Sequence, residues 1–242
     1  MSKPIVLITG AATGFGYALS KELANQGGTL ILLDKNRREL EYLYDEINPI
    51  EGCEPALYPM NLAGASLDDF ITLSNTIEKE LGGLDVIIHN AAHFTGLTPQ
   101  SHVKVMNWIE TIQTNLNAPF FINQTCMPLL RKSKDARILF IGDQFDDTLA
   151  YRGAYAVSKT ALTTYMRVLA EETEQDKNFC VCSFNPGFME TAFLSRIYPG
   201  HREGSLPPIE NVAKECLQLL TAPREEIHGT TIQTTQGCLT MA

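Results

Sequence analysis

Short runs of aliphatic and β-branched residues alternate along the chain with longer stretches in which apolar positions recur every three or four residues. The short runs, over residues 4–9, 29–33, 54–58, 84–89, 136–141, 179–184 and 230–234, predict strands. The longer pattern predicts helices over residues 15–26, 37–47 and 67–81, then 103–119 continuing toward 130, 155–173 and 211–220. Strands that are apolar at nearly every position are buried on both faces, as in a parallel sheet covered by helices. Regular strand–helix alternation therefore predicts an α/β fold, a doubly wound parallel sheet in three αβα layers. No repeat, low-complexity tract or linker interrupts the pattern. The Pro/Gly-rich stretch from Pro199 to Pro208 reads as a loop, so residues 1–242 are expected to form a single domain.

Composition narrows the partners. The formal net charge is −9, and the densest basic run is only Lys35 with Arg37 and Arg38. An acidic balance without a basic patch argues against nucleic acid and anionic membranes. The six cysteines, Cys53, Cys126, Cys180, Cys182, Cys216 and Cys238, show no C-x-x-C and no metal-ligand spacing. Cys180 and Cys182 share one face of a predicted strand, and all six read as thiols of a reducing compartment, with no metal expected. The apolar run at residues 5–8 is too short for a signal-peptide core or a membrane span. These features together predict a cytoplasmic protein.

The first strand runs into Thr9-Gly10-Ala11-Ala12-Thr13-Gly14-Phe15-Gly16, which opens the first helix. Glycines at these positions allow a sharp turn and a close approach of backbone N–H groups to a pyrophosphate at the helix N-terminus. Asp34 ends the second strand some 18 positions after Gly16, near the spacing expected of a ribose ligand. Its carboxylate would accept from the ribose hydroxyls and repel a 2′-phosphate, which favours NAD. Lys35, Arg37 and Arg38 could still serve NADP. Alternatively, Asp34 caps the helix that follows it.

Tyr155 and Lys159 stand four apart in a helical stretch and so share a face. A nearby ammonium stabilises a phenolate, which lets tyrosine exchange a proton with a substrate oxygen during hydride transfer. Five segments in order resemble the classical short-chain dehydrogenase/reductase family: the turn from Thr9 to Gly16, His89-Asn90-Ala91-Ala92, Asn115, Tyr155-x-x-x-Lys159, and Asn185-Pro186-Gly187 followed by Thr191. The resemblance spans essentially the whole chain. It implies a Rossmann-like dinucleotide-binding domain and an NAD(P)-dependent oxidoreductase acting on an alcohol or carbonyl. Tyr155 would be the acid/base, Lys159 would tune it and hold the nicotinamide ribose, and Asn115 would continue the proton relay. Gly10, Ala12, Thr13, Gly14, Phe15 and Gly16 would hold the pyrophosphate side, and Asn90 and Ala91 would adjoin them. Asn61 and Leu62 would flank the adenine, with Asn61 standing where the family usually has Asp. Pro186, Gly187, Met189 and Thr191 would frame the nicotinamide.

The pattern breaks at one place. The family carries a serine about 13 residues before the tyrosine, at the end of the fifth strand. Counting back from Tyr155 reaches Gly142, whereas aligning strand ends reaches Asp143, and neither carries a hydroxyl. Loss of one donor to a developing oxyanion costs roughly 2.7–4 kcal/mol, and an ionised Asp143 would also repel that charge. A protonated Asp143 could still donate. The alternative to an enzyme is therefore a dinucleotide-binding protein with weak or no catalysis, acting as a sensor or assembly partner.

Substrate contacts are expected from residues 192–208, which mix Phe193, Leu194, Ile197 and Tyr198 with Arg196, His201 and Arg202. The helix of Tyr155 carries a second stripe of Ala154, Val157, Ala161, Thr164 and Val168. The family resemblance implies a homodimer or homotetramer formed through this helix and its predecessor.

Overall fold

The computed structural model describes residues 3–143, 149–191, 194 and 206–235. Among the described residues, seven parallel strands form one sheet in the order β3-β2-β1-β4-β5-β6-β7. They are β1 (Ile5–Thr9), β2 (Gly28–Asp34), β3 (Cys53–Pro59), β4 (Val86–His89), β5 (Ala136–Ile141), β6 (Phe179–Asn185) and β7 (Thr231–Gln233). Between them run α1 (Gly14–Gln26), α2 (Arg37–Ile47), α3 (Leu67–Leu81), α4 (Val105–Ile112), α5 (Ala118–Leu130), α6 (Gly153–Glu172), α7 (Ile209–Gln218) and the short α8 (Arg224–Ile227).

The alternation of side chains along each strand divides the core in two. Val6, Ile8, Cys180 and Cys182 pack with Leu19, Leu40 and Val212 on one face. Leu7, Ile87 and Val181 pack with Phe70, Ile122 and Leu162 on the other. Both faces are apolar because helices cover both, which explains the unbroken hydrophobic runs. Local signals set several ends: Ser66 and Asp69 form a capping box at the start of α3, and Gly82 closes that helix in the left-handed conformation. The five described thiols, Cys53, Cys126, Cys180, Cys182 and Cys216, are free and buried; Cys238 lies outside the described residues.

The predicted helix over residues 103–130 is split. Between α4 and α5 the backbone widens into a π-type turn over Gln113–Asn117, a feature that often marks functional sites. The strand order reverses at β1, whose neighbours are β2 and β4, with Thr9 paired to His89 at the carboxyl ends. A ligand crevice belongs outside such a reversal. The main cavity lies there.

Candidate active site

A cavity of about 570 Å³ runs across the carboxyl ends of the strands, from Asp34 to Tyr155. Its floor at the β1 end is the glycine turn. A side chain at Gly16 would overlap the Gly10 carbonyl oxygen, so only glycine lets the helix approach the turn so closely. Gly14 holds a left-handed φ of +55° with open space before it. Thr13, the N-cap residue of α1, makes no side-chain capping bond, and the first turn carries no acidic residue. The N-terminal amides of α1 thus meet an open, anion-compatible volume. The turn is buttressed from β4: the Thr9 hydroxyl accepts from the Asn90 and Ala91 amides at 3.1 Å each, and Asn90 Nδ2 donates to the Thr9 and Gly10 carbonyls at 3.1 and 2.9 Å.

Asp34 lies on the cavity wall with one carboxylate oxygen accepting from the Ala12 amide at 3.2 Å and the other from the Asn36 amide at 3.0 Å. It does not cap α2; Asn36 does, accepting from the Glu39 amide. Of the three basic residues that follow Asp34, Lys35 lines the cavity. Arg37 pairs instead with Glu41, and Arg38 donates to the Tyr42 hydroxyl, both along α2.

At the other end, α6 brings Tyr155 and Lys159 to the cavity on one helical face, both buried. The Tyr155 hydroxyl donates to Asp143 Oδ2 at 2.8 Å, and the ring packs on Phe94 with centroids 4.8 Å apart. Lys159 Nζ donates to the Ile141 carbonyl at 2.7 Å and sits 5.9 Å from the Tyr155 ring centroid. The choice left open at the end of β5 resolves geometrically. Gly142 continues the sheet through its amide bond to the Phe184 carbonyl, and of the two it is Asp143 that brings a side chain to Tyr155.

The electrostatics differ from the expected tuning. Burial, then the charge and hydrogen bond of Asp143, push the Tyr155 phenol well above its ordinary value, while Arg152 opposes the shift. Lys159 is lowered to about 8 by burial, with Asp143 opposing. Without a cofactor the arrangement therefore favours a protonated phenol. His93, also on the cavity wall, is lowered chiefly by burial and then by the charge of Lys35.

Three predicted residues stand behind the cavity wall. Ala12 is buried and positions Asp34 through its amide, and Gly16 acts through its lack of a side chain. Asn115, within the π-type turn, accepts from the His93 amide at 2.6 Å and donates to the His93 carbonyl and the Ser158 hydroxyl. It ties the loop after β4 to α6. The remaining predicted residues, Thr13, Phe15, Asn61, Leu62, Asn90, Ala91, Pro186, Gly187, Met189 and Thr191, line the cavity. Gly187 is set by its amide bond to Asn185 Oδ1.

Sequence reading did not anticipate Arg152, a buried cation on the same wall. Its position three residues before Tyr155, one helical turn away, was the available signal. Of the expected substrate segment, Leu194 and residues 206–208 are described; Phe193, Arg196, Ile197, Tyr198, His201 and Arg202 lie outside the described residues. The expected second stripe of α6 is exposed at Val157 and Val168, but Ala154 faces inward.

Known proteins of similar sequence and fold point to one family. The family model for short chain dehydrogenases matches residues 4–201. An uncharacterized oxidoreductase, YciK of Escherichia coli K12, is 32% identical over 196 residues, covering 81% of this chain and 77% of the relative. Farnesol dehydrogenase of Aedes aegypti is 26% identical over 95% of both chains. Among solved structures, a short chain dehydrogenase from Shigella flexneri 2a complexed with NADP superposes with a TM-score of 0.90. It is 29% identical, over 96% of this chain and 97% of that one.

Proposed function

This chain belongs to the short-chain dehydrogenase family and is an oxidoreductase; from that premise we propose that it interconverts an alcohol and a carbonyl using a nicotinamide dinucleotide, with Tyr155 as the acid/base. The observation that carries the reading is the buried Tyr155–Lys159 pair on a cavity that begins at an open glycine turn. The donor set fits the cofactor: backbone amides at a helix start that has no side-chain cap and no acidic first turn, a carboxylate at the end of β2, and a buried hydroxyl–ammonium pair at the far end.

When bound, the nicotinamide supplies or takes up a hydride. Tyr155 gives its proton to the substrate oxygen in reduction and takes it back in oxidation. Its hydroxyl turns from Asp143 Oδ2 to the substrate as the site fills. Lys159 places a cation at the base of the same site, and Asn115 keeps the loop of His93 and the helix of Tyr155 in register. Arg152 favours negative charge at the tyrosine oxygen, opposing Asp143. Family membership and oxidoreductase relatives favour this enzyme over a binding protein without turnover.

For the cofactor we propose NAD, because the Asp34 carboxylate ends β2 on the cavity wall, where a ribose ligand is expected, and would repel a 2′-phosphate; Lys35 beside it offsets only part of that charge. We also propose a cytoplasmic homo-oligomer, a dimer or a dimer of dimers, closed over exposed Val105, Met106 and Ile109 of α4 and Val157 and Val168 of α6. Among the described residues no helix is long and apolar enough to cross a membrane.

The test is cofactor oxidation or reduction over a panel of alcohols, aldehydes and ketones, beside the Tyr155→Phe variant. Turnover that falls by about 10²–10⁴ in the variant, with cofactor binding retained, is expected. Turnover that is unchanged in the variant would remove Tyr155 from the mechanism. Tighter binding of NADPH than NADH would overturn the cofactor assignment.

A further inference from the structure

Among the described residues β7 is the shortest strand, and it closes one end of the sheet. Its three residues, Thr231–Gln233, pair with Ser183, Phe184 and Asn185 of β6. A pairing this short fixes the chain weakly by itself. Yet the residue that follows it, Thr234, is buried behind the wall of the main cavity at its reaction end.

That wall is the turn after β6, where Pro186, Gly187, Phe188 and Met189 line the cavity. The Thr234 amide donates to the Asn185 carbonyl at 2.9 Å, and the Asn185 side chain accepts from the Gly187 amide at 3.1 Å. A side chain at Gly187, where φ is +63°, would meet Thr234 Cγ2 at 3.3 Å. The threonine methyl thus packs beneath the glycine of the turn.

A carboxylate holds Thr234 from the other side. Glu215 Oε2 accepts from the Thr234 hydroxyl at 2.6 Å, and Oε1 accepts from the Thr235 amide and hydroxyl at 2.8 and 2.9 Å. Hydrogen bonds to an ionised acceptor are about twice as strong as neutral ones. The helix that supplies the carboxylate, α7, is itself firmly docked: Val212, Ala213, Cys216 and Leu217 share its inner face and are buried in the core. A rigid helix therefore fixes the chain after a weak strand, and that chain supports the turn at Gly187. A loop held in place beforehand has less freedom to lose when a ligand binds against it.

We propose that Glu215 is a positioning residue for the nicotinamide half of the dinucleotide, holding Thr234 beneath Gly187 and so presetting the turn after β6 without touching the cofactor. This rests on the reading of the main cavity as a nicotinamide dinucleotide site. Further partners of Glu215 or Thr234 would add to the anchor. The pyrophosphate half is supported differently. Its glycine turn is held by Thr9 of β1 and by Asn90 just after β4, and β5 and β6 separate β4 from β7. Loss of the Glu215 anchor is therefore felt at one half of the site.

Calorimetric titration of the full chain with NADH and with ADP-ribose, which lacks only the nicotinamide ring, separates the halves. NADPH and 2′-phospho-ADP-ribose replace them if NADPH is the tighter ligand. Glu215→Ala is expected to weaken NADH by about three- to tenfold and ADP-ribose by less than about twofold. Glu215→Gln keeps an acceptor for Thr235 and can donate to the Thr234 hydroxyl, so it is expected to bind NADH within about twofold of the parent. Thr234→Val removes the hydroxyl and keeps a methyl against Gly187. A loss of about two- to threefold in NADH binding is expected, with no further loss when it is combined with Glu215→Ala. Thr234→Val also carries the test alone should Glu215→Ala not fold. NADH weakened no more than ADP-ribose in the folded variant used, or additive losses in the double variant, overturns the positioning role and leaves the dinucleotide reading intact. A parent chain that binds neither NADH nor NADPH overturns that reading and this inference with it.

Discussion

At the nucleotide end of the main cavity the surface is largely main chain. The turn from Gly10 to Gly16 is shaped by what its glycines lack, and Thr9 and Asn90 hold it with hydrogen bonds to backbone atoms. At the reaction end the surface is side chain, and the side chains carry ionisable groups out of water: Tyr155, Lys159 and Arg152 are all buried, with Asp143 bonded to the tyrosine. A main-chain surface depends on a few permitted conformations and tolerates little variation. A surface of buried charges can change its chemistry with one substitution and keep its shape. That contrast explains how a serine position can hold Asp143 while the glycine turn keeps its spacing.

The contrast can be broken most directly at Gly16. Gly16→Ala places a methyl group against the Gly10 carbonyl oxygen and is expected to cost about 4 kcal/mol of stability or abolish folding. Denaturant unfolding measures this, and a variant as stable as the parent would show that the nucleotide end can yield. At the reaction end, Asp143→Ser is expected to raise carbonyl reduction by about 10², because a neutral donor replaces a carboxylate beside the developing oxyanion. Unchanged single-turnover rates would mean that Asp143 already donates.

Acid stability sharpens the picture beneath the turn. His89, at the end of β4, is fully buried against Phe140 and bonded to Asn123, and burial lowers it to about 4 from an ordinary 6.5. A depressed histidine binds its proton in the unfolded chain first, so stability is intact above about pH 6.5 and is lost as the pH falls toward 4, by up to about 3 kcal/mol. His89→Asn should flatten that acid limb in thermal melts taken across this window. The smallest effect is expected at Lys159. Its folded value of about 8 lies below the ordinary 10.5, so the unfolded chain holds more protons between those values and stability rises with pH across them. The charge it brings to the site is lost over the same range. The kcat/KM for reduction should therefore fall by up to about tenfold per pH unit above about 8. A flat profile to pH 10 would show that the ammonium is not needed.

Legibility in the sequence followed the range of the interactions. The strand at Ala136–Ile141 and the helices at Arg37–Ile47 and Leu67–Leu81 carry the limits that periodicity predicts. Other elements shift by a residue or two, where fraying and caps decide. Within the continuous pattern from α4 to α5, nothing local announces the π-type turn around Asn115; its side chain is engaged by His93 and Ser158, residues remote in sequence. The short α8 was missed because four residues carry too little periodicity to read.

What the sequence determined alone was what repeats or stands close along the chain. The β–α alternation, the glycine spacing after β1, and the shared helical face of Tyr155 and Lys159 all follow from periods of two to four residues. Tertiary structure decided which distant groups meet: that Asp143 and not Gly142 faces the tyrosine, that Lys35 alone of its basic run reaches the cavity, and that the buried Arg152 lies on the cavity wall with Tyr155. Those outcomes depend on strand register and loop closure, and the potential at Tyr155 sums over all the groups they bring together.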